Sequence, residues 1–112
     1  MKKKTQRRKC DLIWSQIIRS LGRCEWCNKT LNLQAAHFIS RSNHQIRFDL
    51  RNGISLCAGC HSKAHSDPQG FVEWFKYYRS KDYDYLRAKK NELNKPDYEI
   101  IFDKLRKELD NM

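Results

Sequence analysis

Five cysteines and four histidines carry most of the chemistry available to this chain, and all of them lie in its first 65 residues. Four of the cysteines form two C-x-x-C pairs, Cys24/Cys27 and Cys57/Cys60. Each pair can turn two thiolates toward one point, so together they can complete a tetrahedron around Zn²⁺. Four thiolates fill the coordination shell, so we expect this zinc to be structural and not catalytic. The alternative is a redox dithiol, but a redox site would need only one C-x-x-C pair and would not explain two. The fifth cysteine, Cys10, is expected to lie on a helix as a small buried hydrophobic residue.

Three histidines and one asparagine form a second group that could surround a cation: His37, Asn52, His61 and His65. We expect His37 on a first strand, Asn52 at the start of a second, and the later histidines on the following helix. His61 and His65 are four residues apart and would share one helical face. Such a strand–loop–strand–helix unit can close around a single divalent cation. Two alternatives remain: His61 could belong to the zinc site beside Cys60, and His65 could simply end a helix.

Periodicity and capping signals predict the elements that must position these residues. Predicted helices cover 11–21, 61–65, 71–78, 82–93 and 98–109, and predicted strands cover 31–39 and 54–56. The first helix is expected to carry one apolar stripe and to end at Gly22; its members are Leu12, Ile13, Ile17, Ile18 and Leu21. Asp67-Pro68 is expected to end one helix and to cap the next. Trp26, between the first two cysteines, is expected to pack in the core, with base stacking as the alternative.

The positive charge is concentrated in the first half of the chain. Residues 1–66 hold 13 Lys/Arg and three acids, a net charge of +10, whereas residues 67–112 hold ten of each, a net charge of zero. A one-sided positive field attracts a polyanion through counterion release. Six of these charges form an N-terminal run that could merely solubilise the chain; they are Lys2, Lys3, Lys4, Arg7, Arg8 and Lys9. Without that run, seven basic residues still oppose three acids, which favours a nucleic-acid partner.

These observations predict an α+β, mainly helical fold with one helix before the zinc-stapled unit and helices after it. We divide the chain into a basic, mobile N-terminal arm at 1–9, the zinc-stapled core with its leading helix at 10–69, and a helical region at 70–112. We expect no membrane partner, because no apolar run is long enough to span a bilayer. The N-terminus lacks the apolar segment of a secretory signal. The expected location is therefore the cytoplasm of a bacterial or phage-infected cell.

The histidine group resembles the HNH endonucleases, the ββα-metal nucleases. The likeness lies in Ala36-His-Phe-Ile-Ser-Arg, in Arg47-Phe-Asp-Leu-Arg-Asn52, and in Leu56-Cys-Ala-Gly-Cys-His61 followed by His65. The spacings from His37 to Asn52, His61 and His65 are 15, 24 and 28 residues, which match the nuclease colicins. The His37-Phe-Ile-Ser-Arg phrase is also similar to phage recombination nucleases of the NinG (Rap) group. The resemblance covers roughly residues 24–66.

The resemblance implies a metal-dependent DNA endonuclease of phage or mobile-element type that leaves 5′-phosphate and 3′-hydroxyl ends. His37 would be the general base, because neutral imidazole can accept a proton from water near pH 7. Asn52 would hold the loop and orient His37, while His61 and His65 would bind a catalytic Mg²⁺ or Mn²⁺ ion that neutralises a phosphate oxygen. Three arginines near this site could grip the backbone. They are Arg41, Arg47 and Arg51.

The chain departs from the family at two positions. Many HNH enzymes have a metal-binding histidine directly before the base, where this chain has Ala36. Others have an acid three residues before the base, where this chain has Gln34, whose amide oxygen is a weaker metal ligand. A non-catalytic zinc DNA-binding module on a degenerate HNH scaffold is therefore the competing hypothesis, and RNA cleavage is a third.

Overall fold

The computed structural model describes residues 3–92 and 94–112. Within these residues the chain forms five helices, a short 3-10 turn at Leu50–Asn52 and a two-stranded antiparallel sheet. The helices are α1 (Lys3–Arg19), α2 (Ala58–Ser66), α3 (Pro68–Tyr78), α4 (Ser80–Lys89) and α5 (Tyr98–Asp110); the strands are β1 (Leu33–His37) and β2 (Gly53–Cys57). The predicted α+β, mainly helical fold is confirmed.

The sheet lies between two helical layers. β1 pairs with β2 so that His37 is opposite Gly53 and Leu33 is opposite Cys57. Ile54 and Leu56 of β2 pack with Phe75 of α3 and Leu86 of α4 in one core cluster. The other face of the sheet meets α1, and α5 packs against α1 in a second cluster. The region 70–112 is thus helical as predicted. Within it, α3 and α4 pack in the first cluster, and α5 packs in the second.

α1 begins at Lys3, eight residues before the predicted helix start at residue 11, so the described part of the predicted N-terminal arm, residues 3–9, is helical. The buried residues of this helix are Cys10 and Trp14. The predicted stripe is also corrected, since Leu12 is 66% exposed and Leu21 is 48% exposed. The helix buries Cys10 as a small hydrophobe, as expected.

The predicted helix boundaries after the sheet are close to those in the structure. Asp67 caps both neighbours: its backbone N–H donates to Lys63 at the end of α2, and its side chain accepts from the Gly70 N–H in the first turn of α3. Pro68 occupies the first turn of α3, as the Asp67-Pro68 pair predicted. The helix predicted at 82–93 is α4, which begins at Ser80 and ends at Lys89 with Lys90 as its C-cap, so its predicted extension through residue 92 is wrong. The predicted last residue, Leu93, lies outside the described residues.

None of the helices in the described part of the chain combines the length and the apolarity that crossing a membrane requires.

Candidate functional site

The four paired cysteines converge at one point. The Sγ atoms of Cys24, Cys27, Cys57 and Cys60 lie within 4.8 Å of one another, and those of Cys27 and Cys57 are 3.6 Å apart. Sulfurs at the corners of a zinc tetrahedron, with Zn–S bonds of about 2.3 Å, would be roughly 3.8 Å apart. The cluster can therefore hold a metal ion. His61 does not belong to it, although it follows Cys60 directly.

Local backbone structure positions the four Sγ atoms around one point. The first pair sits on a turn in which the Asn28 N–H donates to the Cys24 carbonyl at 2.9 Å, and Asn28 itself has a left-handed φ of 69°. The second pair lies where β2 runs into α2: Cys57 is the N-cap of that helix, and its Sγ accepts from the Cys60 N–H. A strand end and a helix start thus supply one pair, and a turn supplies the other.

The pKa values of the cysteine thiols are shifted in different directions. Burial alone would raise the pKa of Cys24, but hydrogen bonds from the backbone of Cys57, Cys27 and Trp26 outweigh burial and lower that pKa to about 7. A backbone hydrogen bond from Cys60 lowers the pKa of Cys57. Burial and the neighbouring thiols raise the pKa of Cys60. Four thiolates repel one another at this distance unless a cation sits between them, so this donor set suits a soft divalent ion such as zinc.

A half-buried arginine ties the first cysteine pair to the rest of the fold, and the sequence did not reveal it. Arg79, between α3 and α4, donates to the carbonyls of Gly53 at 2.8 Å and Arg51 at 2.9 Å. It also forms ion pairs with Glu25 at 3.5 Å and Asp82 at 2.8 Å. Glu25 lies between the first two cysteines, so this contact holds the turn against the start of β2. No motif marks an arginine at a helix junction, which is why pattern analysis missed it.

A second site is a cleft of about 890 Å³ beside β1. Three of the histidines line it: His37 at the end of β1, and His61 and His65 on α2. α1 forms one wall through Asp11, Trp14 and Ser15, and α3 contributes Pro68, Phe71 and Val72. The sequence grouped the three histidines, and the structure places them around one cavity. The exposed fourth histidine, His44, lies elsewhere.

His37 is held in one orientation and one tautomer. Its Nε2 lies 2.9 Å from the carbonyl oxygen of Arg47. A carbonyl can only accept, so Nε2 carries the proton and Nδ1 keeps its lone pair. Trp14 stacks on the ring at 4.1 Å between centroids and 14° between planes. Burial lowers the pKa of His37 below its usual 6.5, against the opposing hydrogen bond to Arg47. The ring is thus a neutral base with one free nitrogen.

Asn52 ties together the long loop between the two strands. Its side chain is fully buried, and its Oδ1 accepts from the Ile39 N–H at 2.7 Å. Its Nδ2 donates to the carbonyls of Ile39 at 3.0 Å and Ile46 at 3.3 Å. The Phe38 N–H also donates to the Asn52 carbonyl at 3.0 Å. These bonds fix the backbone on both sides of the loop that carries the carbonyl of Arg47.

The two histidines on α2 are neighbours, and one of them has a side-chain partner. The ring centroids of His61 and His65 are 5.1 Å apart. The side-chain oxygen of Gln34 lies 2.6 Å from Nδ1 of His61. Because this oxygen accepts, the proton of His61 is on Nδ1 and Nε2 is free to bind a cation. Gln34, predicted as a weak ligand, is therefore placed to orient a ligand.

The residues predicted to contact nucleic acid differ in their exposure to solvent. Arg41 is exposed and lines the cleft. Arg47 is 9% exposed and forms a two-pronged ion pair with Asp11, with the shorter contact at 2.7 Å, so the structure gives it a role in holding the loop. Arg51 is exposed, stacks on Tyr85 and is not part of the cleft lining. Five residues of the N-terminal run lie on α1, namely Lys3, Lys4, Arg7, Arg8 and Lys9. Lys2 lies outside the described residues.

Trp26 packs in the core, as expected. It stacks on Trp74 at 5.4 Å and contacts Phe71 at 5.7 Å, and the ammonium of Lys63 lies 4.6 Å from its ring centroid. These contacts cover the ring, so the structure favours packing over base stacking.

The cleft wall formed by α1 is the part of the site that sequence analysis missed. Trp14 and Asp11 are three residues apart on α1, one stacking on His37 and the other pairing with Arg47. Their i, i+3 spacing places them on one helical face, but nothing in the sequence indicates which surface that face covers.

Comparison with models of protein families, with curated proteins and with solved structures found no significant match.

Proposed function

We propose that this protein is a metal-dependent endonuclease of the HNH type that hydrolyses phosphodiester bonds in DNA. The observation that carries the proposal is the cleft lined by His37, His61 and His65, in which Nδ1 of His37 keeps its lone pair because Nε2 donates to the Arg47 carbonyl. A base and two imidazole ligands on separate elements are the parts that metal-assisted hydrolysis of a phosphodiester requires. The residue spacings shared with HNH enzymes support the same conclusion.

In this proposal His37 takes a proton from the attacking water. Its Nδ1 is the only ring nitrogen with a lone pair, because Nε2 donates to the Arg47 carbonyl. Its lowered pKa keeps it unprotonated at neutral pH. Asn52 acts as a positioning residue, since its bonds to Ile39 and Ile46 shape the loop that carries this carbonyl.

His61 and His65 would hold the divalent cation, Mg²⁺ or Mn²⁺, which supplies charge neutralisation at the phosphate and at the leaving oxygen. Gln34 fixes the tautomer of His61 so that Nε2 is available. Ala36 is 3% exposed and has no donor atom, so it contributes only packing. The four cysteines hold a separate zinc ion whose role is structural, since four thiolates leave no position for substrate.

The first test is nicking of supercoiled plasmid with Mg²⁺ or Mn²⁺ added. We expect nicked product from the wild-type protein and a loss of about 10²- to 10⁴-fold in rate for His37→Ala, because general-base catalysis contributes on that order. His44→Ala is the matched control: this histidine is exposed and lies outside the cleft, so its loss should leave the rate unchanged. Equal rates for the two variants would refute the base assignment.

One observation favours a second candidate, a zinc-containing DNA-binding module without catalysis. Within the described residues, the cysteine cluster is the one gathering of three or more His, Cys, Asp or Glu ligands, so His61 and His65 have no third partner of these types. A folded wild-type protein that binds DNA but nicks neither DNA nor RNA with any divalent ion would establish this alternative. Nicking of labelled RNA in preference to DNA would identify RNA as the substrate.

A further inference from the structure

α1 has three sides with different surroundings. Cys10 belongs to the cluster formed with α5, and Ile13 and Ile17 pack against that cluster. Trp14 and Ile18 lie over Gly53 of the sheet. Asp11 and Ser15 line the histidine cleft. The side that faces neither helix nor sheet therefore borders the cleft.

A row of basic residues follows this open side. Lys4, Arg8 and Arg19 are exposed. Lys4 lies 11 residues and Arg8 7 residues before Ser15, and Arg19 lies 4 residues after it. On a helix these offsets keep residues near one face. We call Lys4, Arg8, Ser15 and Arg19 the α1 row. Along the chain, Arg8 precedes and Arg19 follows the three residues that α1 contributes to the cleft, Asp11, Trp14 and Ser15.

Within the described residues, Lys4, Arg8 and Arg19 form no ion pair with an acid. Asp11 is the one acid within α1, and Arg47 pairs with it at 2.7 Å. Arg41, exposed on the loop, adds a further positive charge to the cleft lining. The surface around the histidines is therefore positive on the α1 side and at the loop.

We infer that the α1 row binds the phosphate backbone of DNA and directs one strand past His37. This inference rests on the proposed function for the choice of DNA as the polyanion. Arg8 and Arg19 are separated by about 16 Å along the helix axis at 1.5 Å per residue. This length corresponds to a rise of roughly five base pairs along the axis of a duplex, at about 3.4 Å each. The two arginines thus hold phosphates on both sides of the bond that lies at the cleft.

The test compares two double variants that lose the same charge. Arg8→Ala/Arg19→Ala removes the two arginines of the row, and Lys104→Ala/Arg106→Ala removes two exposed basic residues from α5, whose partner is another side of α1. Both are made together with His37→Ala, so that binding is measured without cutting. Affinity for a short DNA duplex is followed against salt concentration without added divalent ion and without chelator, which would compete for the metal of the cysteines.

We expect the row variant to reduce the slope of log affinity against log salt by about two, since each phosphate contact contributes roughly 0.9. Binding near 0.1 M salt should weaken by roughly 10- to 100-fold. The α5 variant should retain the slope of its parent. Equal slopes for both variants and the parent, or an equal fall in both variants, would overturn the inference. If the slopes differ as expected but the wild-type protein does not nick, the row is supported and the nuclease proposal fails.

Discussion

His37 takes its chemical state from neighbours that lie far from it in the chain. The Arg47 carbonyl holds the Nε2 proton, and Trp14 covers one face of the ring. Asp11 reaches the same loop through the side chain of Arg47. A neutral histidine can carry its proton on either nitrogen, and these contacts leave Nδ1 as the nitrogen with the free lone pair.

The pKa of His37 leads to a prediction about pH. The ring acts only when unprotonated, and its pKa lies below 6.5, so the nicking rate at saturating cation should stay level above pH 6.5 and fall only below it. The charged and titratable groups around this ring are Asp11 from α1, Arg41 and Arg47 from the loop, and His61 and His65 from α2.

An NMR titration of the His37 ring protons without added cation measures the same pKa independently of activity. A midpoint at or above pH 6.5 would contradict the effect of burial. Because the NMR signals belong to the His37 ring alone, this titration separates His37 from His61 and His65. Protonation of those two histidines would instead lower the nicking rate by releasing the proposed cation.

Gln34 provides a second prediction at this scale. Gln34→Leu removes the acceptor for His61 Nδ1, which lies 2.6 Å away, so the imidazole loses its fixed tautomer. Loss of such a partner typically costs about 10- to 100-fold in metal affinity. Calorimetric titration with Mn²⁺ should show this loss, whereas Gln34→Glu, which retains an acceptor oxygen, should bind at least as well as wild type. Equal affinity of the leucine variant would mean that His61 is not oriented by Gln34.

At the scale of elements, the two cysteine pairs join pieces that have little else to stabilise them. A turn carries the first pair, and the junction of β2 and α2 carries the second. A two-stranded sheet is marginally stable alone, so it depends on the helices packed against its faces, and a metal ion held by the cysteine cluster would stabilise it further. The presence of β1, β2 and α2 was predictable because alternation, the C-x-x-C spacing and Asp67-Pro68 are local signals. Their bounds were less so: β1 is two residues shorter at each end than predicted, and α2 begins three residues earlier than predicted, at Ala58.

The cysteine cluster predicts one tightly bound zinc per chain. Structural zinc contributes on the order of 10 kcal/mol to folding in small zinc peptides, so Cys57→Ser should lose the ion and most of its cooperative thermal transition. Cys10→Ala is the matched control, because Cys10 is buried between α1 and α5 and not in the cluster. Total-metal analysis and thermal melting measure both effects. Stoichiometric zinc in a folded Cys57→Ser protein would show that the cluster is not the site.

At the scale of the whole molecule, α1 approaches the sheet most closely, among the glycine positions, at Gly53. A Cβ at Gly53 would overlap Ile18 of α1 and lie 2.9 Å from the Trp14 ring. This glycine is needed for close approach, since its φ of −102° is open to any residue. Because Trp14 also stacks on His37, the contact of α1 with the sheet sets the wall of the cleft.

Gly53→Ala should therefore destabilise the protein by about 1–3 kcal/mol, as overpacking does in other cores. It should also lower the nicking rate, because a displaced α1 moves Trp14. Gly59→Ala is the matched control: a Cβ there meets nothing within 4 Å, and alanine is favoured over glycine in a helix by roughly 0.5–1 kcal/mol. Urea unfolding measures both changes. An unchanged midpoint for Gly53→Ala would show that α1 adjusts without cost.

The sequence by itself determined the parts whose signals are local. Paired C-x-x-C spacing predicted the cysteine cluster, which the structure confirms as able to hold a metal ion. Strand alternation and helical periodicity predicted the α+β fold, and the spacing of His61 and His65 placed both on one helical face. These signals depend on neighbours a few residues apart, so a single chain contains them.

Only the tertiary structure decided which groups surround these residues. Asp11 and Trp14 reach the cleft because α1 crosses the sheet at Gly53, Arg47 is buried by its pairing with Asp11, and Gln34 meets His61 across 27 residues of sequence. Burial and long-range pairing depend on where the chain returns in space, and no spacing within one segment specifies that.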